Sequence, residues 1–293
     1  MVNFSTWVSD QDISIQYLYT KYLKQHPDVE LQKRIALEGY GKYLLSQQKS
    51  DGHWGKYYYQ PKWTSTHYTL LQLKDCGVSP DTSACRNILY SMFEECQLPE
   101  GGLNLAKSDM KSDICVDGMI LNYASYFLPE YEKLEPLVAS ILQKQKSDGG
   151  FTWYDQNEGD PHSTICVLEG LRSFLASTKD EALKSKVKAA IQRGIDYFYQ
   201  HQLFLEEKKY QKLTYPFRYF YSVFRFLLFA ADLGLEVNDS ISEGLKLLSK
   251  KEKNGFFTLE KLYKGQTFID FSKVGEIDPF LSIYGNYIFA QLK

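Results

Sequence analysis

The chain has 293 residues, of which 44% are hydrophobic and 24% are charged, and its formal net charge is −2. This balance is typical of a globular protein and offers no basic surface, so nucleic-acid binding is not expected. The sequence contains no apolar run of about 18 residues, which argues against a transmembrane segment.

The first predicted element is a helix over Ile13–Leu23, within residues 12–25. Residues 1–11 lack the charged start and apolar stretch of a secretory signal, so no export signal is expected. The five cysteines are odd in number and form no CxxC pair, which favours a reducing, cytoplasmic location.

From about residue 35 the chain repeats one unit. Three stretches are near copies of each other, at Leu44–Trp54, Ile141–Phe151 and Leu247–Phe257. Each has an apolar helical end, a Gln/Lys-rich segment, an Asp-Gly or Asn-Gly pair and an aromatic ring. Weaker copies end at Leu103 and Phe204, and the closing apolar residues are 49, 48, 53 and 53 positions apart. A near-constant spacing of this size indicates a repeated supersecondary unit.

Each repeat contains two predicted helices. The first helices have apolar residues every three or four positions and end before the glycine turn, at 35–48, 86–97, 134–145, 187–202 and 241–251. The second helices are more apolar, at 65–74, 113–127, 161–175, 216–233 and 278–291. Asp160-Pro161 and Asp278-Pro279 are typical helix starts, with an Asp cap before the proline. No strand pattern competes strongly with this helical periodicity, so the predicted fold class is all-α.

The repeat resembles the QW-type repeat of the prenyltransferase and terpene-cyclase α/α toroids, which include protein prenyltransferase β subunits and squalene cyclases. The resemblance covers about residues 35–293. It implies a single-domain α/α toroid over residues 1–293, a closed ring of about five helix hairpins plus the N-terminal helix. The second helices would form the inner barrel, with their starts at the cavity mouth. An aromatic content of 15% fits a cavity lined by rings.

An Asp-x-Cys sequence, Asp113 and Cys115, begins one second helix, and His162 stands at the start of the next. The resemblance to protein prenyltransferase β subunits implies that these three residues bind zinc. Carboxylate, thiolate and imidazole suit zinc, and three protein ligands leave a fourth position for a substrate. The family's histidine aligns with Ser163, one residue after His162. In the alternative interpretation Asp113 caps its helix and Cys115 is a buried apolar side chain.

The same resemblance implies basic residues before the Asp that bind an isoprenoid diphosphate. Lys107 stands six positions before it, and Lys111 lies next to the second expected place, which Met110 occupies. Both lysines are also typical of solvated loops. A protein prenyltransferase would further need a helical partner subunit.

A terpene cyclase is the alternative enzyme class. Asp113 and Asp117 are four residues apart, so they lie on one helix face and could share a proton. The Asp-x-Asp-Asp cluster with which squalene-type cyclases protonate an alkene is absent. This hypothesis uses Asp113 or Asp117 as the acid.

A second group of candidates lies in the fourth repeat. Arg218, Tyr221 and Arg225 fall at i, i+3 and i+7, and would form one helical stripe. A guanidinium pair beside rings suits a diphosphate or carboxylate ligand, and an internal salt bridge to an acid accounts for it equally well. His67, at another inner-helix start, is a site candidate or a structural histidine.

The leading hypothesis is a prenyltransferase-like enzyme that binds an isoprenoid diphosphate in an aromatic-lined cavity, with zinc as the predicted cofactor. The first alternative is the cyclase with Asp113 or Asp117 as acid. The second is a non-catalytic toroid that carries a lipid or serves as an interaction scaffold.

Overall fold

The computed structural model describes residues 3–292, which are mainly helical. In chain order the elements are α1 (Phe4–Ser9), α2 (Ile13–Leu18), α3 (Val29–Ile35), α4 (Gly39–Ser46), α5 (Thr66–Asp75), α6 (Ser83–Cys96), α7 (Ile114–Phe127), α8 (Leu134–Gln143), α9 (Pro161–Leu175), α10 (Glu181–Gln200), α11 (Val223–Leu233), α12 (Asp239–Ser249), β1 (Glu252–Lys253), β2 (Phe256–Phe257) and α13 (Pro279–Gln291). The two strands form a short antiparallel hairpin. The predicted all-α class is confirmed.

Two compact units divide the chain. The central unit comprises Gln48–Lys74 and Pro80–His201, and the terminal unit comprises Met1–Gln47, Asp75–Ser79 and Gln202–Lys293. The expectation of a single domain stays a prediction.

In the central unit the second helices are buried, as their composition predicts. α7 and α9 are buried along almost their whole length and pack closely on each other. Glycine permits this approach, because a Cβ on Gly118 would lie 2.7 Å from the Val167 nitrogen, and one on Gly170 would lie 2.3 Å from the Gly118 oxygen. α8 and α10, the first helices of their repeats, keep exposed polar faces.

Aromatic side chains fill the terminal unit. The Tyr215 ring stacks on Phe280 with centroids 4.3 Å apart, and Phe271 packs edge-on against Phe280 at 4.8 Å. α11 and α13 pack together beside these rings. The predicted N-terminal helix is α2 extended by a π-helical turn at Tyr19–Leu23. The short helices α1 and α3 were not predicted.

α11 begins later than the predicted start at residue 216. Ser222 is its N-cap and accepts the N–H of Arg225 at 3.2 Å. Before it, Arg218 has a left-handed φ of 54°, and the Tyr221 hydroxyl donates to the Leu203 carbonyl at 2.7 Å. The prediction of one helical stripe through Arg218, Tyr221 and Arg225 is therefore wrong, because two of the three residues precede the helix.

Within residues 3–292, none of the helices combines the length and the apolar character needed to cross a bilayer.

Candidate functional site

A repeated hydrogen-bond pattern holds each glycine turn of the central unit. The side-chain amides of Gln48, Gln97 and Gln145 each donate to the carbonyl of the turn glycine four residues on. Each amide also donates to a backbone carbonyl 36 or 45 residues further along the chain. One glutamine therefore satisfies two carbonyls and ties a turn to the next part of the unit.

The residue that closes each turn is bound from the second helix. The backbone N–H groups of Trp54 and Phe151 donate to the hydroxyls of Thr66 and Thr164, at 3.1 and 2.9 Å. Ser282 does the same for Phe257 in the terminal unit.

In the repeat that closes at Leu103, this place belongs to Asp117. Its Oδ1 accepts the N–H of Leu103 at 2.9 Å, and its Oδ2 pairs with Lys144 at 3.1 Å. Burial raises the pKa of Asp117, and Lys144 opposes that shift. Both oxygens of this buried side chain are therefore engaged, Oδ1 by the turn and Oδ2 by Lys144, which gives Asp117 a structural task.

Asp113 and Asp160 cap the adjacent helices α7 and α9. Asp113 Oδ1 accepts the N–H groups of Cys115 at 2.8 Å and Val116 at 3.4 Å, which confirms the interpretation of Asp113 as a cap. Both Asp160 oxygens are engaged, Oδ1 by two backbone N–H groups and Oδ2 by the Ser163 hydroxyl. The N–H groups of Cys115 and Val116 bind Asp113 through Oδ1, whereas Asp160 is engaged through both oxygens.

Asp113 lines a cavity of about 230 Å³ within the central unit. The wall is mostly apolar and is formed by Tyr59, Leu103, Leu105, Ala106, Met110 and Val116, with Asn104, Lys111 and Asp113 as its polar residues. The carboxyl and one lysine are the charged groups of this lining.

The environment of Asp113 favours its protonated form. Burial raises the pKa of this carboxyl and outweighs the N–H groups of Cys115 and Val116, which lower it. The neighbouring Asp160 raises the pKa further, and Lys62 lowers it. A carboxyl with a raised pKa beside an apolar cavity is a candidate proton donor.

The predicted zinc ligands are not gathered into a site. Over residues 3–292, no group of three or more His, Cys, Asp or Glu side chains is placed to hold a metal ion. Cys115 is buried in the first turn of α7, and His162 lies in the first turn of α9. A zinc cofactor stays a prediction.

The predicted anion-binding residues belong to both units. Lys111 lines the cavity, whereas the Lys107 ammonium lies over the Tyr57 ring, 4.8 Å from its centroid. In the terminal unit Arg218 is 5% exposed, and Arg225 donates to the Phe220 carbonyl at 2.9 Å with its guanidinium 5.8 Å from the Phe217 ring.

Sequence reasoning missed the part that Tyr59 plays in the cavity wall. The available signal was the run of three consecutive tyrosines at Tyr57–Tyr59. The Tyr59 ring also lies 5.5 Å from the imidazole of His67, which is fully buried.

The repeat turns, the buried second helices and the cavity at the start of α7 define an α/α repeat protein with a candidate ligand cavity. Residues 17–209 match the prenyltransferase alpha-alpha toroid domain family. The chain belongs to this family, which confirms the resemblance and the predicted α/α toroid class.

No curated protein matches the chain significantly. Among solved structures, the type II terpene cyclase MstE from Scytonema is similar at 11% identity, over 90% of this chain and 98% of that one, with a TM-score of 0.35. A variant of MstE in complex with its product, merosterolic acid A, gives 10% identity, 95% and 97% coverage and a TM-score of 0.33. At these scores no residue role is transferred.

Proposed function

We propose that the chain binds an isoprenoid-like apolar molecule in the Asp113 cavity, and that Asp113 donates a proton to one of its carbon–carbon double bonds, as in terpene cyclisation. The observation that carries this proposal is a carboxyl with a raised pKa, capping its helix through Oδ1, at the wall of a mostly apolar cavity. Membership of the toroid family supports the substrate class.

The surroundings of Asp113 suit both the carboxyl before proton transfer and the carboxylate after it. Burial raises the pKa of the carboxyl, which favours the protonated form more than in an exposed aspartate. After transfer, the N–H groups of Cys115 and Val116, at the positive end of α7, stabilise the carboxylate that remains. The helix start therefore lowers the cost of releasing the proton into an apolar cavity.

Charge and atoms balance in the proposed step. The electron pair of the double bond forms the new C–H bond, the carboxyl proton moves to carbon, and the other carbon becomes cationic. The ring of Tyr59 in the cavity wall can stabilise that cation. Ring closure and loss of a proton to solvent end the reaction, and solvent returns a proton to Asp113.

The cavity limits the substrate. Its volume of about 230 Å³ is below the roughly 300–1,000 Å³ of common ligand pockets. It therefore suits a short isoprenoid or one end of a longer chain.

Asparagine separates capping from acid chemistry, because it caps helices as well as aspartate but carries no acidic proton. We expect Asp113→Asn to abolish cyclisation in a panel of neutral ten- to fifteen-carbon isoprenoids, with its melting temperature close to that of the unmodified protein. Asp160→Asn is the matched control and should retain activity. Equal activity of the two variants would overturn the proposal.

Prenyl transfer is the second candidate, and the presence of Lys111 at the cavity favours it. In that case an isoprenoid diphosphate and an acceptor should release pyrophosphate, and Lys111→Ala should slow the release. Predicted zinc binding is tested separately by elemental analysis of purified protein, with Cys115→Ala against Cys85→Ala. One metal equivalent lost only in Cys115→Ala would support zinc.

A further inference from the structure

One ring nitrogen of the buried His67 makes no hydrogen bond within residues 3–292. His67 stands in the first turn of α5 and is fully buried. Its Nδ1 lies 3.0 Å from the Tyr123 hydroxyl, whereas Nε2 has no hydrogen-bond partner among residues 3–292. A buried polar atom without a partner costs free energy, and such atoms are rare enough in native proteins to need an explanation.

His67 lies beside a residue of the Asp113 cavity wall. Tyr59 is part of the cavity wall, and its ring centroid is 5.5 Å from that of His67. Val116 also lines the cavity and lies two turns, about 10 Å, before Tyr123 on the same stripe of α7. Tyr59 therefore links the cavity wall to His67, and α7 carries both the wall residue Val116 and the His67 partner Tyr123.

We propose that the ligand of the cavity carries a hydroxyl group at its inner end, and that this hydroxyl hydrogen-bonds His67 Nε2 once the Tyr59 ring turns aside. This inference rests on the proposed function, because it assigns the polar end of the same apolar ligand. It places that end away from Asp113.

The two tautomers of His67 favour a ligand hydroxyl over a ligand ketone. The Tyr123 hydroxyl also faces the Met92 sulfur, at 3.6 Å. If its proton points to Met92, His67 Nδ1 carries a proton and Nε2 is an acceptor. If its proton points to His67, Nε2 carries the proton and is a donor. A hydroxyl donates and accepts, so it satisfies Nε2 in either state, whereas a ketone serves one state only.

The imidazole stays neutral in this environment. Burial lowers the pKa of His67 to about 3, so at neutral pH the ring binds a neutral partner and does not attract an anion. The rings of Tyr68 and Tyr123 enclose it, with centroids 4.6 and 5.6 Å from its own. An uncharged hydroxyl matches this uncharged, ring-lined position.

The test compares two ten-carbon probes, geraniol, which has a terminal hydroxyl, and myrcene, the hydrocarbon that corresponds to geraniol less one water. Calorimetry should show that the unmodified protein binds geraniol about fivefold more tightly. His67→Leu should abolish this preference and leave myrcene binding within about twofold. Asp113→Asn, the control at the other end, should retain the preference.

A second measurement needs no variant. The ¹⁵N resonance of His67 Nε2 should shift when geraniol is added and stay unchanged with myrcene. Equal affinities with no ¹⁵N shift would overturn the hydroxyl site while leaving an apolar cavity, and the same result follows if an internal water keeps Nε2 occupied. Failure of both probes to bind would overturn the hydroxyl site together with the apolar ligand of the proposed function.

Discussion

The central and terminal units hold the same repeat in different ways. In the central unit, three glutamines each bind the carbonyl of a turn glycine and a second backbone carbonyl further along the chain. In the terminal unit, Lys251 takes the place of the glutamine and pairs with Glu260 at 2.7 Å. The terminal unit relies instead on packed rings, such as Tyr215 on Phe280.

This difference explains which repeats can be recognised in the amino-acid sequence and which helix carries the candidate site. A turn held by backbone hydrogen bonds needs glutamine and glycine at fixed places, whereas ring packing accepts many sequences. The turn ending at Leu103 also binds Asp117 of α7, so the hydrogen bonds of the turn fix the helix whose cap is Asp113.

The largest contrast between the units is expected at the turn glycines. Gly149 has a φ of 89°, and a Cβ there would lie 2.3 Å from the Arg193 carbonyl oxygen. Gly255, its terminal counterpart, has a φ of 86° but no atom nearer than 3.6 Å. Gly149→Ala should lower the free energy of unfolding by about 3 kcal/mol or more, and Gly255→Ala by about 1–2 kcal/mol, measured by denaturant titration. Equal losses would remove the contrast.

The next largest effect is expected at the turn glutamine. Gln145 donates to the carbonyls of Gly149 and Ala190 at 2.8 and 2.9 Å. Gln145→Ala leaves both carbonyls without this donor, so we expect a loss of about 2 kcal/mol in the free energy of unfolding. Gln47→Ala, one residue before the first turn glutamine, is the control; the Gln47 side-chain amide donates to its neighbour Ser46, so this change should cost little.

A pH-dependent contrast follows from the two histidines His67 and His26. Burial lowers the pKa of His67 in the folded protein to about 3, from an ordinary value of 6.5. Below pH 6.5 the unfolded chain therefore binds a proton at His67 that the folded protein does not bind. As the pH is lowered, the free energy of unfolding decreases by up to about 1.4 kcal/mol per pH unit until the pH nears 3.

The histidine variants test this dependence. The slope attributable to His67 should disappear from urea titrations of His67→Phe between about pH 4 and 7, whereas replacing the exposed His26 of the terminal unit should leave it intact. A slope that survives in His67→Phe would show that other groups cause it.

The smallest effect is expected at the lysine that replaces the glutamine. The Lys251 and Glu260 side chains are 17% and 27% exposed, so solvent weakens their pairing. Lys251→Ala should lower the free energy of unfolding by about 0.5–1 kcal/mol. A loss as large as that of Gln145→Ala would mean that both units depend equally on this position.

Periodicity and turn chemistry predicted the helical repeats well. The spacing of the glycine turns, the Asp-Pro starts and the apolar second helices all reflect local rules, and the structure reproduces them in α7, α9 and α13. The late start of α11 escaped prediction, because the contact of the Tyr221 hydroxyl with Leu203 spans 18 residues.

The candidate site was only partly predictable. Asp113 was found because a carboxylate at an inner-helix start is visible in the sequence. The task of Asp117 depends on Lys144, 27 residues away, and the closeness of Tyr59 to His67 depends on how a loop folds over α5. Family spacing suggested the zinc ligands, but spacing along the chain does not fix which way side chains point.

Solvent labelling tests proton donation by Asp113 most directly. A carboxyl exchanges its proton with water, so cyclisation in deuterium oxide should place one deuterium on a product carbon, detected by mass spectrometry and NMR. We predict this label with the unmodified protein and with Asp160→Asn, and no product with Asp113→Asn. A product that forms without carbon-bound deuterium, or one whose labelling is unchanged in Asp113→Asn, would contradict the account.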